Sequence, residues 1–488
     1  MCMLNRCKGG LIAGAMCIAT WAGAQLDPLR AMYGPEQLRE DLEVVRRSVQ
    51  QVHPDPYRYL AEEQLGMRFD SAAAVLREPM TAEAFMRAVL PALRAIGDAG
   101  TRLDPSTALQ QAYAHTVPMI PFTVSVINGR LYVDEELKGF RSLPTACELL
   151  GINGRTAAEL LALLRGGQVP EGGDTTLLDR GIERDFPLLY RRHVEAADRF
   201  EVQYRGLEGA TGMREVFALT KDEMARSHRG KGIRMQPWRL EELAASHTAW
   251  LTLRTFEPAE LEEQRINPER FLSDVLNALR KAGTSTMVID VRGAQGNDPG
   301  MAEQVFGLIA QQPYRVLKSM YVRSGKVPDS YRYAEPAPGF FASAEGAYMP
   351  EHDGRRVLKA DDPRLDKLKP SEHAFQGKVY VVCNGMTTGA AAAFAMMAKR
   401  TGRGRTVGEE TGSNAAAFCG GRILQFTLPN TGCVLHVPMV CFVPEGNPGG
   451  PADRGELPTY PVPQRAEDLA QGRDTVREAL LNLLAETQ

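Results

Sequence analysis

The residues best placed to carry chemistry lie in one turn between a strand and a helix. The apolar run 379–383 predicts a buried strand, a tight turn follows at Asn384-Gly385, and the small residues after it predict a helix. Such turns present free N–H groups, and many hydrolases place a serine or cysteine nucleophile there. Thr388 and Gly389 stand in this turn instead. The turn therefore offers a threonine hydroxyl or no side chain at all.

A second turn has the same context. The apolar strand 287–291 runs into a glycine-containing turn that ends near Asn297, and a further helix is predicted from about Pro299. We expect the two turns to converge. Backbone N–H groups of Gly296 and Ala390 would then form an anion-binding concavity, as at other helix starts.

The elements that must position these turns predict several structural units. A chain of 488 residues exceeds what one hydrophobic core usually supports. Residues 25–105 show helical periodicity and predict a small bundle, whose first helix ends at a His-Pro-Asp-Pro cluster. Short strands predict a β-rich module over 106–205, and polar residues predict a linker or mobile loop over 206–245. Alternating strands and helices over 246–488 predict an α/β core.

The N-terminus has the pattern of a secretory signal peptide. Arg6 and Lys8 precede an apolar run that ends in Ala-Gly-Ala at Ala24. We therefore expect export to the periplasm or the medium, with cleavage after Ala24. No later segment reaches the length of a membrane span, and the formal net charge of −3 gives no basic footprint for nucleic acid.

Cysteine usage indicates neither zinc nor a complete set of disulfides. Five cysteines follow the predicted signal peptide, an odd number without C-x-x-C spacing. Cys433 and Cys441 lie in strand-like segments and are candidates for a bridge, although buried thiols are the favoured interpretation. We expect no metal and no organic cofactor.

Several motifs in the order of the chain resemble one peptidase family. They are Gly-Asp-Ala-Gly-Thr at 97–101, Asp-Val-Arg-Gly at 290–293, Thr-Val-Gly-Glu-Glu-Thr-Gly at 406–412 and Asp-Arg-Gly-Glu-Leu-Pro at 453–458. Together they resemble the tail-specific, or C-terminal-processing, serine peptidases, whose relatives include the tricorn protease core and the interphotoreceptor retinoid-binding proteins. The resemblance implies an α/β fold with a ClpP/crotonase-like mixed βαβ core, an N-terminal helical bundle and a PDZ-like β module at 106–205.

The departures from the family pattern fall on its chemistry. The motif Thr-x-Ser-Ala-Ala-Glu-x-Phe aligns so that Gly389 stands at the serine and Ala392 at the glutamate. Gly100 stands where a histidine is usual, and Asn414 where the processing peptidases have a general-base lysine. On the oxyanion side, Asn297 replaces a glycine.

These departures predict a catalytically impaired peptidase homologue that retains a groove for a peptide or a protein C-terminus. Glycine has no side chain to attack with, and losing one member of a catalytic unit removes about a million-fold in rate. One alternative is an active serine-type peptidase with a relocated nucleophile, Thr388 or Ser413. Another, by analogy with the retinoid-binding relatives, is a protein that binds an apolar small ligand. The groove residues implied are Gly296, Asn297, Gly389 and Ala390.

Overall fold

The computed structural model describes residues 27–137, 142–227, 236–243, 246–323, 329–334, 346–351 and 354–486. The predicted signal peptide, residues 1–24, lies outside this set. No helix among the described residues has both the length and the apolar character needed to cross a bilayer.

The N-terminal helices form where helical periodicity predicts them. This region comprises β1 (Met32–Tyr33), α1 (Pro35–Val52), α2 (Glu62–Val75), β2 (Met80–Thr81), α3 (Ala82–Ile96) and β3 (Arg102–Asp104). The hydroxyl of Thr81 accepts a hydrogen bond from the N–H of Ala84 and so caps α3. Strands β1 and β2 pair in antiparallel fashion beside these helices.

The next region is an antiparallel sheet covered by helices. It comprises α4 (Thr107–His115), β4 (Phe122–Ile127), β5 (Arg130–Glu136), β6 (Glu148–Ile152), β7 (Arg155–Thr156), α5 (Ala157–Gly166), α6 (Thr176–His193), β8 (Arg199–Arg205) and β9 (Thr211–Phe217). The strand order is β4-β5-β6-β8-β9, with β7 beside β6. Asn128 and Gly129 both have positive φ, which makes the tight hairpin turn that an Asn-Gly pair predicts.

The prediction of a linker over 206–245 is wrong for the described part of that segment. The segment contains β9, α7 (Lys221–Ser227) and β10 (Trp238–Leu243). Its polar composition reflects edge strands and a surface helix instead of irregular chain. In β9 only Val216 is fully buried, so an edge strand was indistinguishable from a linker by composition.

The remaining elements build the α/β core. They are β11 (Thr248–Leu253), α8 (Pro258–Glu263), α9 (Pro268–Lys281), β12 (Thr286–Asp290), α10 (Gly300–Gly307), β13 (Leu317–Val322), β14 (Tyr348–Pro350), β15 (Arg356–Leu358), β16 (Lys378–Cys383), α11 (Ala390–Arg400), β17 (Arg405–Gly408), β18 (Phe418–Thr427), β19 (Val434–Pro444), β20 (Tyr460–Pro461), α12 (Ala466–Ala470) and α13 (Thr475–Glu486). Two short 3-10 turns lie at Asp329–Tyr333 and Pro363–Leu365. The mixed α/β class predicted from the alternation is confirmed.

The central sheet has the order β10-β11-β12-β16-β17-β20, parallel except for β10. Strands β11 and β12 are buried along their whole length, as continuous apolar runs predict. Residues 390–398 of α11 are all buried, and the alanines among them allow close packing on the sheet.

A second, antiparallel sheet carries a disulfide that differs from the prediction of buried thiols. Its order is β14-β15-β13-β19-β18, with β3 also paired to β19. Cys419 and Cys441 lie opposite each other on β18 and β19 and are bonded, whereas Cys433 is a buried free thiol. The hairpin contains a bulge between Gly420 and Ile423, so cysteine spacing alone could not reveal this register.

Candidate functional site

The two predicted turns converge because β12 and β16 are parallel neighbours. Asp290 pairs with Val382 near the carboxyl ends of these strands, so both following turns leave the same edge of the sheet. The buried hydroxyl of Thr387 donates to the carbonyl of Val291 at 2.9 Å. The N–H of Thr388 donates to the carbonyl of Ala294 at 3.0 Å. Backbone and side-chain hydrogen bonds therefore fasten one turn to the other.

Gly389 has a conformation and surroundings that leave no room for a side chain. Its φ of 58° and ψ of −124° lie in the positive-φ region that favours glycine. A Cβ placed on Gly389 would overlap the carbonyl oxygen of Gly296. Its N–H donates to the hydroxyl oxygen of Ser413 at 2.8 Å. A serine at this position therefore requires movement of the neighbouring turn.

The anion-binding concavity predicted from Gly296 and Ala390 is not formed. The N–H of Ala390 donates to the carbonyl oxygen of Gly296 at 2.8 Å. Gly296 thus directs an acceptor towards the place where an oxyanion would need a donor. This arrangement depends on Gly389, because any side chain there would exclude that carbonyl oxygen.

A cavity of about 450 Å³ opens beside the two turns and gathers most of the predicted site residues. Those that line it are Gly100, Gly296, Asn297, Thr388, Gly389 and Ser413. Glu257, which also lines the cavity, holds Asn297 in place. Its Oε1 atom accepts from the backbone and the side-chain nitrogen of Asn297, at 2.7 and 2.8 Å. Ala390 and Asn414 lie outside the lining.

Asn414, at the family position of a general-base lysine, has a structural role. Its side chain is fully buried, and its amide nitrogen donates to the hydroxyl of Tyr59 and to the carbonyl of Ala452, both at 2.8 Å. Its amide oxygen accepts from the N–H groups of Ala416 and Ala417. Every polar function of this side chain thus holds a loop in place, and none faces the cavity as a base.

Gly100 differs from Gly389 because space for a side chain remains there. A Cβ on Gly100 would lie at ordinary contact distances, 3.4 Å from Asp98 and 3.6 Å from Pro438. The backbone at Gly100 can therefore accept a Cβ without movement of its neighbours.

The two candidate hydroxyl nucleophiles lie in the cavity without a base. The Ser413 hydroxyl oxygen accepts the Gly389 N–H, and the Thr388 methyl group lies near Gly412. Within the described residues, neither hydroxyl makes a hydrogen bond to a histidine, lysine or carboxylate. Nucleophilic catalysis requires such a pairing, so the present geometry activates neither group.

A buried histidine–aspartate pair behind the cavity was missed by the sequence analysis. His53 Nε2 lies 2.9 Å from Asp98 Oδ2, and the Thr101 hydroxyl donates to the same oxygen at 2.6 Å. The N–H of Asp55 donates to His53 Nδ1, so both ring nitrogens are engaged. Burial would raise the pKa of Asp98, but the hydrogen bonds from His53 and Thr101 bring it below its usual range. The predicted helix end at His53 hid this long-range contact.

Glu171 is a second carboxyl group at the cavity that the sequence analysis missed. It is 5% exposed, and its Oε2 atom accepts the N–H of Ala99 at 3.1 Å. Burial and the negative charge of Asp98 raise the pKa of Glu171 well above its usual range. At neutral pH the wall of the cavity therefore carries a neutral acid beside an ionised carboxylate.

We expect Glu171→Gln to flatten the pH dependence of stability. The folded-state pKa of Glu171 is raised, so the folded protein holds this proton more tightly than the unfolded chain does. Glu171 should then lower the free energy of unfolding of the wild type by about 2 kcal/mol as pH rises from about 5 to about 8, a contribution that Glu171→Gln lacks. Urea unfolding at both pH values measures the difference. An equal slope in wild type, Glu171→Gln and the exposed control Glu36→Gln would contradict it.

One described cluster brings together three types of metal ligand. Atoms of His53, Asp98 and Cys419 lie within 4.8 Å of one another. However, Cys419 is in the disulfide, and His53 already bonds Asp98. The Arg58 guanidinium lies 3.7 Å from the Cys419 sulfur and adds a positive charge, which disfavours a cation at this place.

Part of the chain is similar in sequence to a known family, and its fold is similar to that of solved structures. Residues 247–418 match the profile of Peptidase family S41. No curated protein sequence matches the chain. Among solved structures, mature CPAF is similar with a TM-score of 0.65 and 15% identity, over 92% of this chain and 97% of that chain. Mature CPAF complexed with lactacystin is similar with a TM-score of 0.64 and 15% identity, over 92% and 98%.

The likeness to CPAF shows the fold alone, because the identity is low. A further likeness, to the photosystem II D1 C-terminal processing protease, has 15% identity over 90% of this chain and 98% of that chain. Its TM-score of 0.41 is too low to establish a common fold. The matched region contains the two turns that are hydrogen-bonded to each other, and it ends at Phe418, one residue before Cys419 of the cavity wall. The sequence of residues 247–418 is therefore similar to peptidase family S41.

Proposed function

We propose that this protein is an exported member of the S41 family that has lost hydrolysis and binds an extended peptide segment at the former active site. One observation carries the loss of catalysis: the carbonyl of Gly296 occupies the place of any side chain on Gly389 and accepts the N–H of Ala390. The Gly296 carbonyl thus leaves no space for a nucleophilic side chain on Gly389 and also occupies the Ala390 N–H that could serve as an oxyanion donor. Acyl transfer needs both.

The edge strand β18 supports peptide binding. It pairs with β19 on one side, and Cys419 and Gly420 on it line the cavity. The Cα atoms of Cys419 and Cys441 are 4.0 Å apart, the close spacing of a non-hydrogen-bonded pair. The backbone N–H and carbonyl of Cys419 therefore point away from β19, where an added strand can pair with them. The N–H of Gly421 donates to the carbonyl oxygen of Asn297, so an added strand cannot pair with that N–H.

Two arginines at the cavity favour a segment that carries a carboxylate. Arg102 and Arg184 both line the wall, each beside an aspartate neighbour, Asp104 and Asp185. These exposed pairs are weak, so an incoming C-terminal carboxylate can compete for either guanidinium. We infer that a free C-terminus binds better than an internal segment.

The alternatives fit the cavity less well. An active peptidase with Thr388 or Ser413 as nucleophile lacks a paired base. An apolar small ligand would have to tolerate charged groups on several sides of the wall, including Asp98, Glu171 and Glu257.

Export rests on the predicted signal peptide and on the disulfide. Disulfides persist mainly in oxidising compartments such as the periplasm, and Cys419–Cys441 is one. We expect N-terminal sequencing of the protein from its native compartment to begin at Gln25. A retained residue 1 would contradict cleavage after Ala24.

Peptide binding is tested with a labelled decapeptide library of random sequence, measured by fluorescence anisotropy. The wild type should bind the library with free C-termini more tightly than the same library with C-terminal amides. Gly420→Leu fills the cavity at a position where a Cβ meets nothing closer than 3.7 Å, and should weaken binding about tenfold or more. Gly206→Leu, in the β8–β9 turn outside the cavity, is the matched control and should bind like the wild type.

Mass spectrometry of the recovered library separates binding from cleavage. Intact peptides after prolonged incubation support the proposal. Turnover of the library by the wild type would refute the loss of hydrolysis, and equal binding by Gly420→Leu would refute the assigned groove.

A further inference from the structure

The Cys419–Cys441 disulfide differs from a buried structural bridge in its exposure. Cys419 is partly exposed and lines the cavity, whereas Cys441 is fully buried. A molecule that enters the cavity thus meets Cys419 and not Cys441. Accessibility of one sulfur is a requirement of thiol–disulfide exchange, because the attacking thiolate must reach it.

A partly buried arginine, Arg58, lies against both sulfurs. The Arg58 Nη2 atom is 3.5 Å from the Cys441 sulfur and 3.7 Å from the Cys419 sulfur. The same guanidinium donates to the carbonyl of Ala417 at 2.6 Å and to the hydroxyl of Tyr321 at 2.9 Å. Asp55, 3.2 Å from Arg58 Nε, is its carboxylate partner. The positive charge is therefore held in place beside the sulfurs.

This charge favours the departure of a thiolate. A neighbouring guanidinium lowers the pKa of a cysteine thiol, and a thiolate of lower pKa is a better leaving group in exchange. The sulfur that leaves is that of Cys441, which is closer to Arg58 and is shielded from the cavity. The arrangement separates the two roles: Cys419 is attacked and Cys441 is released.

We propose that Cys419–Cys441 is a thiol-exchange site that opens into the cavity and takes a small peptide thiol. The incoming thiolate attacks the Cys419 sulfur and forms a mixed disulfide with it, while the bond to Cys441 breaks and its electron pair stays on the Cys441 sulfur beside Arg58. One disulfide is consumed and one is formed, so no further oxidant or reductant enters. The volume of about 450 Å³ falls within the range of sites for small ligands. This inference does not depend on the loss of hydrolysis.

The exchange is tested with reduced glutathione as the peptide thiol. The folded protein is incubated with it, quenched with N-ethylmaleimide and mapped by mass spectrometry. We expect glutathione on Cys419 and the maleimide on Cys441. Arg58→Met should slow the reaction about threefold to tenfold, since the departing thiolate loses its neighbouring charge. Arg315→Met removes a guanidinium that pairs with Glu445 outside this cavity, and should leave the rate unchanged.

Three results would overturn the proposal: glutathione on Cys441, exchange only in denaturant, or equal slowing by Arg58→Met and Arg315→Met. If Arg58→Met fails to fold, Arg58→Lys, which keeps a positive charge, replaces it and should retain a rate within about threefold of the wild type. The mapping in the wild type decides the order of attack independently of either variant.

Discussion

Replacing Gly389 with serine is expected to destabilise the protein by about 3 kcal/mol and to create no hydrolytic activity. The new side chain would overlap the carbonyl oxygen of Gly296 and would adopt a strained backbone conformation. Relief requires the turn at 294–296 to move, which breaks its bonds to Thr388 and Ala390. Urea unfolding gives the stability, and cleavage of an unfolded protein gives the activity.

Gly402→Ser is the matched control for this substitution. Gly389 precedes helix α11, and Gly402 follows it. Gly402 has a φ of 71°, and a Cβ on it would meet nothing within 4 Å. Only the backbone strain applies there, so we expect a cost of about 1 kcal/mol. Equal costs at the two glycines would show that the Gly296 carbonyl does not exclude a side chain. Restored cleavage in Gly389→Ser would show that the remaining groups still form a working site.

Asp41→Ala is expected to have the largest effect on stability, about 3–5 kcal/mol. The buried carboxylate of Asp41, on α1, holds the turn between β18 and β19. Its oxygens accept the N–H and side-chain nitrogen of Asn430, at 3.0 and 2.9 Å. They also accept the N–H and hydroxyl of Thr431, at 2.9 and 2.6 Å. Removing the carboxylate leaves buried donors unpaired.

Asp41→Ala should also disturb the cavity, because Asp41 holds the turn that ends β18 and residues of β18 line the cavity. Glu40→Ala is the control: Glu40 is exposed and accepts one bond from the Asn430 side chain, so its loss should cost less than about 1 kcal/mol. Unfolding in urea compares the two variants. A cost below about 1 kcal/mol for Asp41→Ala would mean that the N-terminal helix does not hold this hairpin.

Much of the fold could be predicted because its signals are local. Continuous apolar strands at 287–291 and 379–383 predict a buried parallel sheet. Parallel neighbours in turn bring Gly296 and Gly389 to one edge. The residue types also indicate that Gly389 brings no side chain to the turn.

The remaining features depend on contacts between distant segments. The pairing of His53 with Asp98 joins two helix ends 45 residues apart, and no spacing rule predicts it. The disulfide depends on a strand register that a bulge shifts. The reversed role of Gly296, from expected donor to acceptor, follows from a backbone orientation that residue types do not specify. Edge strands such as β9 lack the apolar alternation that separates strand from linker.

Reaction of the wild-type protein with a fluorophosphonate probe, read by intact mass, tests the loss of catalysis most directly. Such a probe modifies an activated hydroxyl nucleophile and requires the pairing that Thr388 and Ser413 lack here. We predict no adduct after prolonged exposure of the folded protein. A stoichiometric adduct that maps to Thr388 or Ser413 would contradict the proposed loss of hydrolysis.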